Sequence, residues 1–318
     1  NYIERRLNEL DELVRQGAAD RLHTISLLWE GIGRQAWPHV RDFYASDDVA
    51  VRYYSARAGL RTGDVNAAPV IGAIAQTEGA ALRAAAIREL QYCGMSQAVR
   101  YLLPIVSDAD AAVRVAAYEA LRAFRHPVVR SRAFRAAADP SQVNFTLDVV
   151  DCDGPPLIYV QRTRHARIVV FGRNMPVQLP MFYAHPQGWV TLNAHEATGD
   201  LTLMCRTRRS GRFSDTLHVP ARVPEMIRGL AQLPLPGSSG VVEGLGLPLS
   251  LVVQVLHALH EDGTIGSEFI VESLDIDRLF GPADQQQRPE ADEIESIEQA
   301  PQRESGDFRN DGGAVGGE

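Results

Sequence analysis

The sequence predicts an α+β multidomain protein: an N-terminal α-solenoid of helical pairs, then a small, mostly antiparallel α+β module and a disordered acidic tail. Three observations carry that expectation. Arginines recur at a spacing of 31 residues, at Arg52, Arg83 and Arg114. The apolar period falls from about 3.6 to about 2 residues near Asn144. Beyond residue 281 large apolar side chains nearly vanish.

Residues 1–17, charged and amphipathic, read as a leading helix, and residues 18–140 as helical repeats. The segments Val51-Arg52-Tyr53-Tyr54-Ser55-Ala56, Leu82-Arg83-Ala84-Ala85-Ala86-Ile87 and Val113-Arg114-Val115-Ala116-Ala117-Tyr118 align on their arginines, and Arg21 lies 31 residues further back. Second helices keep the same step. Pro38 in Trp37-Pro38-His39-Val40 and Pro69 in Ala68-Pro69-Val70-Ile71 are again 31 apart, with Arg100 and Ser131 at the next equivalents. The phase therefore makes Val128-Val129-Arg130-Ser131-Arg132-Ala133 helical. Proline in a first turn costs little, because those N–H groups have no intrahelical partner. Ala56, Ala85, Ala86, Ala116 and Ala117 allow close helix approach, while Leu60, Leu90 and Leu121 fill the layers. One pair cannot bury its apolar face, so stacking supplies the core.

Acids stand before the arginines in the turns: Asp47 and Asp48 before Arg52, Asp108 and Asp110 before Arg114. Such acids cap the next helix and accept from an Arg of the same or the adjacent unit. This pattern resembles HEAT repeats, and it makes Asp47, Asp48, Arg52, Arg83, Asp108, Asp110 and Arg114 a structural ladder. The alternative, an arginine row reading phosphates, is disfavoured by the neighbouring acids, which repel an anion.

Residues 141–280 form the α+β module. Strands are expected at Phe145–Val150, Leu157–Gln161, Ile168–Phe171, Trp189–Asn193, Leu201–Arg206 and Thr216–Val219, with Asp153-Gly154-Pro155-Pro156 as a hairpin-like turn between the first two. Helices follow at Val223–Leu233 and Leu249–Glu261, separated by a glycine-rich loop, and Phe269–Leu274 closes the module as a strand. Residues 281–318, rich in Gln, Glu, Asp and Gly, hold too little apolar surface to offset ordering entropy and are expected to be disordered.

Charge narrows the function classes. The net charge is -8, yet the tail holds ten Asp/Glu against three Arg, which leaves the remaining residues almost neutral. No basic face is set against nucleic acid or an anionic membrane. All 32 basic residues are arginine. The three cysteines, Cys93, Cys152 and Cys205, show no CxxC spacing, although Cys152 and Cys205 lie near strands that allow pairing. No run of 18 or more apolar residues marks a membrane span. The chain opens on Asn1 in a charged stretch, which points to a segment of a longer protein with any export signal upstream.

Candidate chemistry is sparse. His257 and His260 share a helical face beside Glu261 and Asp262, but neither HExxH nor a Cys pair completes a metal site, and imidazoles there can meet the last helix carbonyls. Gly240, Gly244 and Gly246 form a connector, since a phosphate loop needs a Lys that this chain lacks. Asp151, Cys152 and Asp153 bring two carboxylates to a thiol; as an active site they would converge in a pocket, and as a turn they would face solvent. Arg206, Arg208, Arg209 and Arg212 around Ser210-Gly211 make a basic hairpin, either solvated or facing an anionic partner. The chain therefore reads as no enzyme, with no cofactor, metal, nucleic acid or small-molecule substrate.

The order of these pieces resembles the long, planctomycete-type flagellar basal-body P-ring proteins. The resemblance rests on Ala36-Trp37-Pro38-His39-Val40 leading to Ser46-Asp47-Asp48-Val49-Ala50-Val51-Arg52-Tyr53-Tyr54-Ser55-Ala56. It continues in Gly154-Pro155-Pro156-Leu157-Ile158-Tyr159-Val160-Gln161-Arg162-Thr163-Arg164, Ile168-Val169-Val170-Phe171-Gly172, Val223-Pro224-Glu225-Met226-Ile227-Arg228 and Val252-Val253-Gln254-Val255-Leu256. Two features depart from it: the ring-forming region is absent, and the acidic tail lies outside the pattern. The resemblance implies a structural role in a periplasmic ring around the flagellar rod, with copies of itself and the rod as protein partners. Outside it, a cytoplasmic HEAT-like adaptor is the expectation.

Overall fold

The computed structural model describes residues 2–77, 79, 81–162, 165–195, 199–206, 216–234 and 244–272. Helix α1 (Tyr2–Arg15) buries Leu7, Leu10 and Val14 against Trp29, Val40 and Phe43. Three helical hairpins follow: α2 (Leu22–Ile32) with α3 (Trp37–Asp42), α4 (Val49–Arg61) with α5 (Ala67–Gln76), and α6 (Arg83–Glu89) with α7 (Met95–Ile105). Helix α8 (Ala111–Ala123) opens a fourth unit. Asp48 and Asp110 cap α4 and α8 by accepting backbone N–H groups of the first turn, which otherwise lack partners. Ala56, Ala86, Ala116 and Ala117 are buried between helices, and Leu60, Leu90 and Leu121 fill the layers. Ala85 is only partly buried.

The fourth unit breaks the phase. Val128–Ala133, where the repeat calls for a second helix, falls largely in strand β1 (Val129–Arg135). Local chemistry explains the change. Arg125 adopts a left-handed φ of 53° and ends α8. Pro127 then disfavours helix at His126, and Val128 with Val129 are β-branched.

Two sheets replace the single sheet expected. The first has the order β1-β2-β4-β3-β9, with β2 (Val143–Val150), β3 (Leu157–Gln161), β4 (Arg167–Phe171) and β9 (Glu268–Val271). The second is antiparallel, in the order β5 (Met181–Ala184), β6 (Val190–Ala194), β7 (Asp200–Cys205), β8 (Leu217–Pro220). Strand β5 was not anticipated: it has only four residues and lies close to Pro180 and Pro186. The loop 151–156 is not a hairpin turn either. Strand β4 inserts between β2 and β3, parallel to β2 and antiparallel to β3, while β9 joins β3 in parallel. Helices α9 (Val223–Ala231) and α10 (Leu249–Glu261) complete the described elements.

The first sheet is apolar on both faces, and the pleat divides its side chains between two cores. Val150, Leu157, Tyr159, Val169 and Phe171 join the helical core with Tyr118 and Leu121. Their alternates Leu147, Val149, Ile158, Val160, Ile168 and Val170 face α9, α10 and the second sheet. Stacked helical units leave an unpaired apolar end, and here the sheet covers it. Helical units and sheets belong to one compact unit, residues 1–273. The expected disordered tail, residues 281–318, and Leu274 at the end of the last expected strand lie outside the described residues.

Candidate functional site

The ladder residues lie at the junctions between helical units. Arg83 is buried; its Nε donates to the carbonyl of Ala75 at 3.0 Å, and its Nη2 to Asp108 Oδ2 of the next unit at 2.5 Å. Arg114 repeats the first contact 31 residues on, donating to the carbonyl of Val106 at 3.2 Å. Both arginines thus satisfy carbonyls at the end of the preceding second helix, groups that have no intrahelical partner. The remaining donors of Arg114 reach the carbonyl of Pro155 and Cys152 Sγ, and its guanidinium stacks on Phe171. Asp108 also accepts from the Asp110 amide at 2.9 Å. Burial pushes the Asp108 carboxyl up, but Arg83 and the backbone amides outweigh it and hold it below the usual carboxylate range. Asp48 and Asp110 act as caps; Arg52 instead donates to the carbonyls of Ser46 and Asp47 within its own turn. With Arg83 and Arg114 buried, the row presents no continuous line of cations to a phosphate.

Other sequence candidates are dispersed. Asp151 is exposed and paired with Arg173, and Asp153 is exposed in the same loop. Cys152 lies against Arg114. The carboxylates of this segment stand in solvent and line no described cavity. Cys152 packs with the helical side of the first sheet and Cys205 with the other side, so no disulfide joins them. His260 stacks on Phe269 and His257 meets the same ring edge-on, and no group of three potential metal ligands occurs among the described residues. Gly246 and the neighbouring Leu245 and Leu247 donate to the carbonyls of Gln232, Gly229 and Leu230, finishing the C-terminal end of α9. Arg206 follows β7; Arg208, Arg209, Arg212 and Gly240 lie outside the described residues.

The helical first elements α2, α4 and α6 carry a charge network that the arginine period did not reveal. Glu30 on α2 accepts from Arg57 Nη1 at 2.5 Å, and Arg57 also reaches Ser26 and Glu89. Arg61 makes a two-pronged contact with Glu89, at 2.7 and 2.8 Å, and lies 3.7 Å from Glu30. Two arginines and two glutamates bridge three units with no net charge. The network is a rigid floor, with no spare charge to bind an ion. A trace of it was legible: Glu30 and Arg61 are 31 residues apart, with opposite charge.

Around this floor the surface is mixed. The Arg61 guanidinium sits 4.6 Å over the ring of Tyr92, which is 51 % exposed, and Arg88 is exposed beside it. Leu27, 46 % exposed, lies on α2 between His23 and Glu30, and His23 meets Tyr54 edge-on. Burial first and the Arg57 charge second lower the His23 pKa. A tyrosine and arginines over a neutral base match what protein interfaces are enriched in, and Leu27 adds exposed apolar surface beside them. A separate concavity of about 490 Å³ lies between β5 and α10, with Phe182, His185, Gln254 and Asp262 on its walls.

A further group lies under the sheet. Asp148, an acid in an apolar strand, is buried, accepts from Tyr118 Oη at 2.5 Å and forms an ion pair with Arg122 Nε at 3.2 Å. It joins α8 to β2.

Compared with known proteins, residues 67–143 match the family profile of HEAT repeats, which spans α5 through α8 and β1 and ends at the first residue of β2. No curated protein and no solved structure matches the chain. No described helix is long and apolar enough to cross a membrane. The chain contains HEAT repeats, and such repeats suggest protein–protein interaction.

Proposed function

We propose that the chain is a non-catalytic scaffold that holds a protein partner on the α2–α4–α6 face, with Leu27, Arg61, Arg88 and Tyr92 making the contact. The observation that carries this reading is the neutralised Glu30–Arg57–Arg61–Glu89 floor beneath exposed leucine, tyrosine and arginine; Arg88, Glu89 and Tyr92 lie in the stretch that matches HEAT repeats. A floor already paired at rest loses little on binding, while its aromatic and apolar rim gains from leaving water. A photo-crosslinker placed at Leu27 or Tyr92 should capture a defined protein in the native host, and Arg61→Glu should abolish capture. Equal capture from Val65, an exposed position in the α4–α5 turn, would show that the face has no selectivity.

The narrower placement is in the bacterial flagellar P ring, with copies of the chain and the rod as partners in the periplasm. It rests on the sequence resemblance, carried by Ala36–Val40 with Ser46–Ala56, Gly154–Arg164 with Ile168–Gly172, Val223–Arg228 and Val252–Leu256. Its test is the complete reading frame together with fractionation of purified basal bodies: a ring-type region upstream and co-fractionation support it. A start codon shortly before Asn1, with the chain absent from basal bodies, leaves an adaptor outside the flagellum.

A further inference from the structure

Strand β1 is an edge of the first sheet and its longest edge strand, seven residues against four in β9. Arg130, Ser131, Arg132, Ala133 and Arg135 are all exposed. Arg132 donates to Gln232 Oε1 and Arg135 to the carbonyl of Ser141; among the described residues none of the three arginines pairs with a carboxylate. The nearby acids are engaged elsewhere. Asp139 accepts from Ser141, and Asp148 lies buried under Tyr118 and Arg122.

The backbone of this edge is also available. Asp151 N–H donates to the carbonyl of Val128, and the register pairs Val129 with Val150, so Arg130 and Arg132 bond to β2. The amides and carbonyls of Ser131 and Ala133 therefore point outward, on residues that nothing covers. Arg130 and Arg132 share one face, about 6.8 Å apart along the strand.

We propose that β1 is a docking edge for an extended acidic segment of a partner protein, with carboxylates at alternate positions, which adds to the first sheet as a further strand. Backbone pairing at Ser131 and Ala133 supplies the ladder, and Arg130 with Arg132 sets the charge and the register of the incoming acids. A second copy of the chain fits poorly, because β1 against β1 opposes arginines to arginines. A nucleic acid would meet the arginines but leave the outward amides and carbonyls unpaired. This site is separate from the α2–α4–α6 face and stands without it.

The test is fluorescence anisotropy on the full chain. One labelled seven-residue peptide carries Glu at alternate positions between Thr and Val; a second has the same composition with its Glu residues contiguous. The alternating peptide should bind about tenfold more tightly than the contiguous one, at about 0.15 M salt where weak surface charge is screened. Arg130→Glu with Arg132→Glu should weaken it at least about tenfold. Ser131→Pro, which removes an outward N–H and keeps every charge, should do the same. On the unaltered chain, hydrogen exchange at Ser131 and Ala133 should slow when peptide is added, a readout that needs no variant to fold. Leu27→Arg should leave peptide binding unchanged. Equal binding of both peptides, no slowing of exchange, or tighter binding of a single-stranded oligonucleotide that Ser131→Pro does not weaken would each overturn the proposal.

Discussion

Replacing Gly154 with alanine probes the contact on which the architecture turns, the seat of the β2–β3 loop on the helical units. A Cβ built at Gly154 would lie 2.9 Å from the carbonyl oxygen of Ser107 and 3.0 Å from its C and Cα atoms. Those are backbone atoms of the α7–α8 turn, so no side chain can swing aside. Ordinary contact requires the two segments to part by about half an ångström, while Arg114 bonded to Pro155 and Ser107 Oγ bonded to the Asp153 amide resist it. Overpacking of this kind costs about 1–3 kcal/mol. Loss of glycine entropy from the unfolded chain offsets about 0.4–1 kcal/mol. The net expectation is a loss of about 1–2 kcal/mol, read as a melting point lower by roughly 2–8 °C in thermal denaturation followed by circular dichroism. Gly31→Ala supplies the control: it lies in α2 with nothing within 4 Å of the added methyl, and should stabilise by roughly 0.5–1 kcal/mol. If Gly154→Ala melts at or above the parent while Gly31→Ala behaves as expected, the loop does not need its close seat on Ser107.

Two further perturbations address the charge network. Glu89→Gln leaves Arg57 and Arg61 sharing Glu30 alone, and breaking so buried a pairing should cost about 3 kcal/mol in urea unfolding; a loss below about 1 kcal/mol would show that the floor is not held by charge. His23, whose folded pKa lies below its ordinary 6.5, is favoured in its neutral form, so stability is full above 6.5 and declines as pH falls from there through the folded value. Asp64, held low by its bond to Arg41, and Asp108 keep their stabilisation above their ordinary 3.8 and lose it only as pH falls below that value. His23→Gln should therefore flatten the stability profile below about pH 6.5, and an unchanged slope there would place the titration on another group.

The sequence was most informative where chemistry repeats locally. The 31-residue phase aligns Arg83 with Arg114, which donate to carbonyls of the preceding unit at the same spacing; the expected acid partner is present for Arg83, in Asp108, while Arg52 and Arg114 donate to carbonyls instead. The same phase misled at Val128–Ala133. Periodicity cannot register that β2 offers a partner ladder, and backbone pairing overrode the repeat. Glu89 and Asp148 were not visible for a related reason: neither has a counterpart at the repeat spacing, and each acquires meaning only from a residue on another element.

The sequence alone determined that this chain stacks helical units, that strands follow near Asn144, and that its acidity sits in the last residues. Composition and period suffice for that, since each helix or strand follows from its own apolar pattern and capping residues. Tertiary structure decided the rest. It replaced the last second helix by β1, split the strands into two sheets, inserted β4 between β2 and β3, and laid the first sheet over the open end of the repeats. The physical reason is burial: the end of a helical stack and a sheet apolar on both faces each expose surface that only the other can cover, and no local pattern records that match.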